Sequence, residues 1–591
     1  MGRMKKKFGM IISIIMKTCA IPFLCYMCLQ FILVTLPIVN TVLVKKIIDA
    51  IGVKREYPFL LELSILFVFI IILQKLGISF LEITRKIITE RIIKWFNEDI
   101  MRNMSEMDIE VLDTGEGRKL IDNVKDAPAI ILDFIFRFVI FMSGIYSLVI
   151  TMYTIISFDA LVSTIYLVLT IPGIIMETIA KRKIDVWNMD SAPDIRRFSY
   201  YRWMLTDRWP AKDIRMYNLT DHIKTRYVQE KSEYINIKKK INFKGLLWSV
   251  LSIFIYEIGY VFFCCCVINR VMNGNITIGD TTMLISYSLL ATQSFRECGL
   301  IIMNYKSIIS KHIERYCWFQ NTNRINNMGK RICKKFECLE FIDVHFKYPN
   351  SNEEILKGVS FEIRKGDKVS IVGINGAGKT TIIKLIIGLY HVDKGEILLN
   401  HIPLYEYDLN SVRRLFSIVF QDYPIYSLTL RENIGLSNPA NMYDDDKILS
   451  ALHECDVEME DLNLDTNLTK TFDDNGVVMS KGQFQRVALA RAMFKDADFI
   501  IFDEPSSSLD SEAEEHVFTN YIKQTKNKTG LMISHRISSG KLSNKIIVLS
   551  DGIVECIGNH SELIKRKGTY AKLFLLQAKQ YEQGGDNSNA K

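Results

Sequence analysis

The chain has 591 residues, of which 49% are hydrophobic and 24% charged, and its formal net charge is +8. These values exclude a disordered chain, a collagen-like fibre and a small disulfide scaffold. A balance this mildly basic is what Lys and Arg in cytoplasmic loops give a membrane protein, and nucleic acid is not expected as a partner.

The hydrophobicity is segregated along the chain. Between Lys17 and Lys45 lie 27 residues without a formal charge. As helix they span about 40 Å, against a bilayer hydrocarbon core of about 30 Å. The basic start (Arg3, Lys5, Lys6, Lys7) is shared with secretion signals. The apolar run is longer than a signal core of about 7–15 residues and no small-residue cleavage site closes it, so it is expected to be retained. Further apolar segments cover 58–83, 130–158, 160–179, 245–268 and 281–305, and nothing comparable follows Tyr316. Six membrane helices are expected.

Residues 181–244 hold 16 Lys and Arg, whereas the turn at 157–159 has none. Both facts place the N-terminus inside, although Lys45, Lys46, Lys54 and Arg55 run against the rule. The helical pattern of the second segment continues to about Met104, so about half of it must protrude from the bilayer. Ionisable residues inside membrane segments are functional candidates. Glu257 is read either as a cavity-facing contact for a cationic cargo or as half of an interhelical pair. Arg296 and Glu297 lie in the sixth segment, and Asp133 with Arg137 is read as an i,i+4 pair. Cys25 and Cys28 form a CxxC inside an apolar helix, Cys264–Cys266 fill the membrane, and Cys333 and Cys338 stand in polar sequence. Without the spacing signatures, neither zinc nor a disulfide is expected.

Residues 321–335 read as a linker. Beyond it, Leu339, Phe341, Val344, Phe346 and Tyr348 roughly alternate with polar residues, and strand and helix signals then interchange as in an α/β domain. Residues 368–374 form a strand candidate that runs into GINGAGKT at 373–380. Gly373, Gly376 and Gly378 let the backbone turn and, with Asn375 and Ala377 between them, aim successive N–H groups at phosphate oxygens. The helix that opens at Thr381 adds its partial positive charge. Lys379 is expected to reach the β/γ-phosphates and the Thr380 hydroxyl to ligate magnesium. A second apolar run, 499–502, ends in Asp503 and Glu504. Asp503 would hold magnesium, and Glu504 would orient or deprotonate the attacking water.

Taken in order, these motifs resemble the ATP-binding cassette (ABC) transporters, specifically half-transporters of the exporter type, over nearly the whole chain. The resemblance implies that Tyr348 (VHFKYP) stacks on adenine. Gln421 (VFQD) would be the glutamine that contacts magnesium and faces the membrane domain. MSKGQ, with Ser480, Lys481, Gly482 and Gln483, would be the signature that meets ATP held by the opposite subunit. Asp510 (SSSLD) would close the following loop, and His535 (ISHR) would contact the γ-phosphate. The signature departs from the family's LSGGQ at Lys481, which gives up glycine's freedom at positive φ and is read as tolerated. Short coupling helices are expected near 109–114 and 212–219, with Asp474 touching such loops.

The expected architecture is a multi-pass all-α, exporter-type membrane domain (1–320) followed by the linker. An α/β P-loop ATPase domain (336–578) comes next, and then a disordered tail (579–591). The expected activity is ATP- and Mg2+-dependent export across the bacterial plasma membrane by alternating access, with the ATPase domain in the cytoplasm. The partners are the lipid bilayer, a second half-transporter and the cargo, a peptide or lipophilic compound. The second half would be another copy of the chain, with a different half-transporter as the alternative. Wording such as FDDNGVVMSKGQFQRVALARA looks most like bacterial exporters of modified peptides or bacteriocin-like products. No cysteine-peptidase domain precedes the first helix, so leader cleavage by this chain is not expected. Lipid or drug export, import by the same architecture, and nucleotide-gated regulation without transport stand as alternatives.

Overall fold

The computed structural model describes residues 2–53, 57–117, 121, 124, 127–304, 310–321, 329–457, 459, 462–504, 528–533 and 543–576. They divide into two compact units, 1–105 with 119–322, and 106–118 with 323–591.

The first unit is helical. Its elements are α1 (Gly2–Gly52), α2 (Tyr57–Ser105), α4 (Ala127–Phe158), α5 (Ala160–Asp190), α6 (Ala192–Thr206), α7 (Ala211–Met216), α8 (Thr220–Met272), α9 (Ile278–Asn304) and α10 (Ser310–Asn321). Among the described residues five helices are long and apolar enough to cross a membrane: α1, α2, α4, α5 and α8. This corrects the expected six. The sixth segment does form a helix, α9, and it packs against α1, α4 and α5. Its apolar face is interrupted by Asp280, Arg296 and Glu297, and two of these have partners on other helices. Lys45 pairs with Asp280 at 2.5 Å, and Arg296 donates to Glu177 of α5 at 2.6 and 2.9 Å.

Helices α2 and α8, at 49 and 53 residues, are each about 75–80 Å long, more than twice a bilayer core. Helix α1 departs from helical geometry at Cys19, φ −145°. The cause is Pro22, which has no N–H to donate to residue 18 and whose ring crowds that carbonyl. Helices α5 and α8 approach closely through glycine: a Cβ on Gly173 would sit 2.8 Å from the Ser252 carbonyl oxygen. Backbone contact of this kind is how helices associate where lipid is as apolar as leucine. Nearby, Tyr166, Phe263, Val267 and Ala291 are fully buried, and the Tyr166 hydroxyl donates to the Ser288 carbonyl at 2.8 Å. Asp133 and Arg137 form their i,i+4 pair at 2.6 Å. Glu257 is exposed on α8 and makes no ion pair among the described residues.

The second unit is α/β and includes α3 (Ile109–Asp113), the first of the two expected short helices; α7 is the second. Its described residues form two sheets. One is antiparallel, ordered β2 (Leu356–Arg364), β1 (Cys338–Phe346), β4 (Lys394–Leu399), β5 (Ile402–Pro403). The other runs β10 (Ile553–Gly558), β9 (Lys545–Ser550), β3 (Lys368–Gly373), β8 (Thr529–Ile533), β7 (Phe499–Asp503), β6 (Phe416–Val419). All of its neighbours pair in parallel except β10. Strands β3, β7 and β8 are buried almost throughout, which is why they read as apolar runs and not as alternating strands. Helix α11 (Lys379–Ile386) follows β3, and α12 (Leu409–Arg414) precedes β6. A smaller helical lobe contains α13 (Leu430–Gly435), α14 (Asp445–Glu454) and α15 (Lys481–Phe494), and α16 (His560–Lys565) lies near the C-terminus.

Candidate nucleotide site

Strand β3 lies between β9 and β8, and β8 separates it from β7. The loop after β3 and the carboxylates after β7 therefore emerge at the same carboxyl edge of the sheet, where parallel α/β folds bind ligands. The loop turns through Gly376 and Gly378 at φ +84° and +98°, angles that side chains with a Cβ resist. A Cβ on Gly378 would also lie 2.6 Å from Leu356 Cδ2. Gly373 and Ile374 turn their carbonyls to the Lys379 ammonium, at 2.8 and 3.1 Å. Ala377 is buried and its N–H donates to the Ile374 carbonyl. Burial holds Lys379 below the usual lysine range, opposed by Glu504 and Asp503.

The hydroxyl of Thr380 donates to Asp503 Oδ1 at 3.2 Å, and Gln421 Nε2 donates to Glu504 Oε2 at 2.9 Å. Asp503 is fully buried, and its Oδ2 has no hydrogen-bond partner among the described residues. Burial pushes its carboxyl up to about 6, against the Thr380 hydrogen bond. An orphaned, buried carboxylate oxygen beside the Thr380 hydroxyl offers oxygen donors of the kind magnesium takes, and Gln421, which lines the same cleft as Thr380, can add an amide oxygen, so Thr380, Gln421 and Asp503 fit that cation. Glu504 follows at φ +51°. A non-glycine residue rarely holds that angle, and such residues cluster at active sites.

Tyr348, Asn375, Gly376, Gly378, Lys379, Thr380, Thr381, Gln421 and Glu504 line one cleft of ≈ 380 Å³, together with Ile355. Ile355 was not foreseen, and no sequence signal marks it. The Tyr348 hydroxyl shares a 3.1 Å hydrogen bond with Thr381 Oγ1. The Tyr348 ring meets Tyr390 edge-on with centroids 5.3 Å apart, and the Lys384 ammonium lies 5.2 Å from its centroid.

The signature residues do not line this cleft. Ser480 caps α15 in a reciprocal pair with Gln483, each side chain bonding the other's backbone N–H at 3.2 and 2.9 Å. Lys481 and Gly482 form the first turn. Lys481 is exposed, and its backbone is not among the positive-φ positions, so this place in the fold does not call for glycine. Its carbonyl accepts from the Tyr423 hydroxyl at 3.1 Å. Asp474 is exposed. His535 and Asp510 lie outside the described residues.

Within the same unit, α3 is held against the residues that follow α11. Tyr390 donates to the Asp113 carboxylate, and the His391 backbone N–H donates to Glu110 Oε1 at 2.6 Å. Ile109 packs on the apolar core. The hydrogen bond that the His391 ring gives to Glu110 raises His391 above its ordinary 6.5. Glu110 is lowered in turn, because the His391 bonds outweigh the burial that raises it.

Residues 356–507 match the ABC transporter family. The chain is 34% identical over 389 residues to the subtilin transport ATP-binding protein of Bacillus subtilis, covering 64% of this chain and 62% of that protein. It is 30% identical over 408 residues to the nisin transport ATP-binding protein of Lactococcus lactis subsp. lactis, covering 66% and 65%. A shorter stretch of 251 residues, 42% of this chain and 43% of the relative, is 35% identical to the ATP-dependent lipid A-core flippase of Escherichia coli K12. The chain thus spans a little under two thirds of the first two relatives' lengths. In fold it is similar to a bacterial Atm1-family ABC exporter with ATP bound, with a TM-score of 0.71 over 93% of this chain and 97% of that one at 20% identity.

Proposed function

We propose that this chain, an ABC transporter by its 356–507 domain and an exporter by fold, is one half of an ATP-driven export machine in a bacterial plasma membrane. The observation that carries the reading is the geometry around Asp503. A buried carboxylate with one oxygen unpartnered among the described residues is linked through Thr380 to a glycine-built phosphate loop, and Thr380 and Glu504 line one cleft. In this reading the loop amides and Lys379 hold the phosphates of ATP. Thr380, Asp503 and Gln421 hold Mg2+, which would neutralise charge on the transferring phosphoryl group. Glu504 accepts a proton from the attacking water or orients it, its carboxylate placed by Gln421. His535 and Asp510 are assigned by motif alone.

Ser480, Lys481 and Gly482 start a helix away from the cleft, so one chain does not complete the site. A second copy supplying that helix end to the nucleotide is the reading we adopt. Within the ATPase unit, α3 is held by the Tyr390 and His391 hydrogen bonds, and in this reading it is the element that would pass nucleotide-driven motion to the chain on either side of it. The first two relatives are named for the transport of subtilin and nisin, and a peptide cargo is proposed here on that likeness.

The test is ATP-dependent uptake of an amphipathic peptide into inside-out membrane vesicles, together with ATP turnover by the purified dimer. Uptake by the wild type and none by Glu504→Gln support export. Uptake into right-side-out vesicles alone would point to import, and ATP turnover at the wild-type level in Glu504→Gln would overturn the site.

A further inference from the structure

One cluster in the second unit belongs to neither the cleft nor the α3 contact. Strand β1 presents Cys338 and Glu340 on the same face, two residues apart. The connection from β4 to β5 is only Asn400–His401, with Leu399 paired to Ile402. Both loop residues lie in the left-handed region, at φ +53° and +64°, as a two-residue hairpin loop of this type demands. The loop folds back over β1, where Asn400 Oδ1 accepts the backbone N–H groups of Glu337 and Cys338 at 2.9 and 3.1 Å. His401 is thereby set beside the two β1 side chains. Its Nδ1 lies 2.5 Å from Glu340 Oε1 and 3.8 Å from Cys338 Sγ, and Sγ lies 3.6 Å from the same Glu340 oxygen.

The geometry points to a zinc site made by Cys338, Glu340 and His401, with a fourth position open to water. The donor set of thiolate, imidazole and carboxylate is one that zinc accepts. Bond lengths of about 2.3 Å to sulfur and 2.0–2.1 Å to nitrogen or oxygen imply tetrahedral edges of about 3.3–3.6 Å. Both sulfur distances are within a few tenths of an ångström of that. The nitrogen–oxygen pair must open, and His401, whose side chain is 74% exposed, has room to move.

Charge argues the same way. Glu340 stands directly across from Glu362 of β2, and like charges opposite each other on a sheet repel. Arg364 bonds Glu362 at 2.6 Å, whereas the ion-pair partner of Glu340 is His401. A zinc ion bound by one thiolate and one carboxylate forms a neutral set. It displaces the Cys338 thiol proton and the proton that His401 Nδ1 shares with Glu340, both to solvent, and joins β1 to the β4–β5 loop. Because these ligands are 2 and 61 residues apart along the chain, no CxxC-type spacing announces them.

The test uses the full-length, untagged, detergent-solubilised protein stripped of metal by a chelator. Zinc is titrated in competition with a chromophoric chelator, and cobalt(II) is used as a spectroscopic probe. The wild type should bind one zinc more than Cys338→Ser/Glu340→Gln/His401→Ala. Cys338→Ser and His401→Ala should each weaken that site by at least about tenfold. The sulfur-to-cobalt charge-transfer band should vanish in Cys338→Ser, with Cys338→Ala as the second variant if serine destabilises the strand. The zinc-free melting temperature reports folding throughout. Equal stoichiometry and affinity in the wild type and the triple variant would overturn the site, as would a charge-transfer band that survives both Cys338 variants.

Discussion

The two units bury a carboxylate each and treat it in opposite ways. In the helical unit, Glu177 of α5 is 1% exposed, and its Oε1 receives Lys181 at 2.8 Å from its own helix and Arg296 at 2.6 Å from α9. In the α/β unit, Asp503 is 0% exposed and is met by one threonine hydroxyl. Each also keeps one oxygen without a partner among the described residues. Burying an ion requires compensation. Glu177 is compensated by the protein itself, which makes it a clamp between two helices. Asp503 feels the Lys379 ammonium but makes no ion pair among the described residues, which makes its site a place for a cation supplied from outside. A buried charge is thus structural or functional according to who neutralises it.

The largest effect that follows is on chemistry. Glu504→Gln keeps the Gln421 neighbourhood but removes the proposed base, and ATP turnover should fall about 10²–10⁴-fold with nucleotide binding retained in a filter or fluorescence assay.

The contrast between the carboxylates is sharpened by neutralising each. Glu177→Gln leaves Lys181 and Arg296 without their anion. Both are about two-fifths exposed, so water softens the loss, and a destabilisation of about 1–3 kcal/mol is expected in thermal melts. Asp503→Asn should do the reverse in chelator. Its carboxyl, pushed from 3.8 up to about 6, is ionised at pH 7 at the fold's expense. Neutralising it should raise stability by up to about 3 kcal/mol while magnesium-dependent turnover is lost. If both variants shift the melt in the same direction, the contrast fails.

A smaller, pH-dependent effect concerns α3. His391 is raised above 6.5 by Glu110, and Glu110 is lowered below 4.5. The histidine's contribution is complete below pH 6.5 and is lost as pH rises through its raised value. The glutamate's contribution is complete above 4.5 and is lost as pH falls through its lowered value. Hydrogen exchange across 109–113, corrected for intrinsic rates, should be slowest between those limits. In Glu110→Gln that minimum should disappear.

The smallest effect is at the signature. Lys481 occupies an ordinary helical first turn, so Lys481→Gly should lower stability by no more than about 1 kcal/mol. Unchanged turnover in that variant would exclude a tuning role for the lysine.

What the sequence disclosed follows from distance along the chain. The phosphate loop was legible because its glycines, Lys379 and Thr380 are contiguous and each is required by local backbone geometry. Asp503 and Glu504 were legible because a buried strand ends on them. The two short helices were legible only through the resemblance to exporters, since nothing in the 109–114 or 212–219 residues alone sets them apart from amphipathic surface turns. Glu177 was missed although it stands in an apolar run, since its meaning depends on Arg296, 119 residues away. The same pair explains why the sixth helix falls short of the apolar five: it carries the cation that α5 needs. The Gln421–Glu504 contact likewise depends on β6 and β7 being neighbours, which no spacing reports.

The α3 contact also bears on how the molecule is made. Glu110 and Asp113 meet His391 and Tyr390 across sequence separations of 281 and 277 residues. At about 5–20 residues per second of synthesis, that separation is on the order of tens of seconds. For that time the segment has left the ribosome but its docking partners do not yet exist, while the helices on either side of it are already being inserted. Within one chain, the second unit is therefore completed only after residues 390–391 have been made. An excised 323–591 fragment would lack a piece that the intact chain places there, and its missing berth would leave Tyr390 and His391 uncovered.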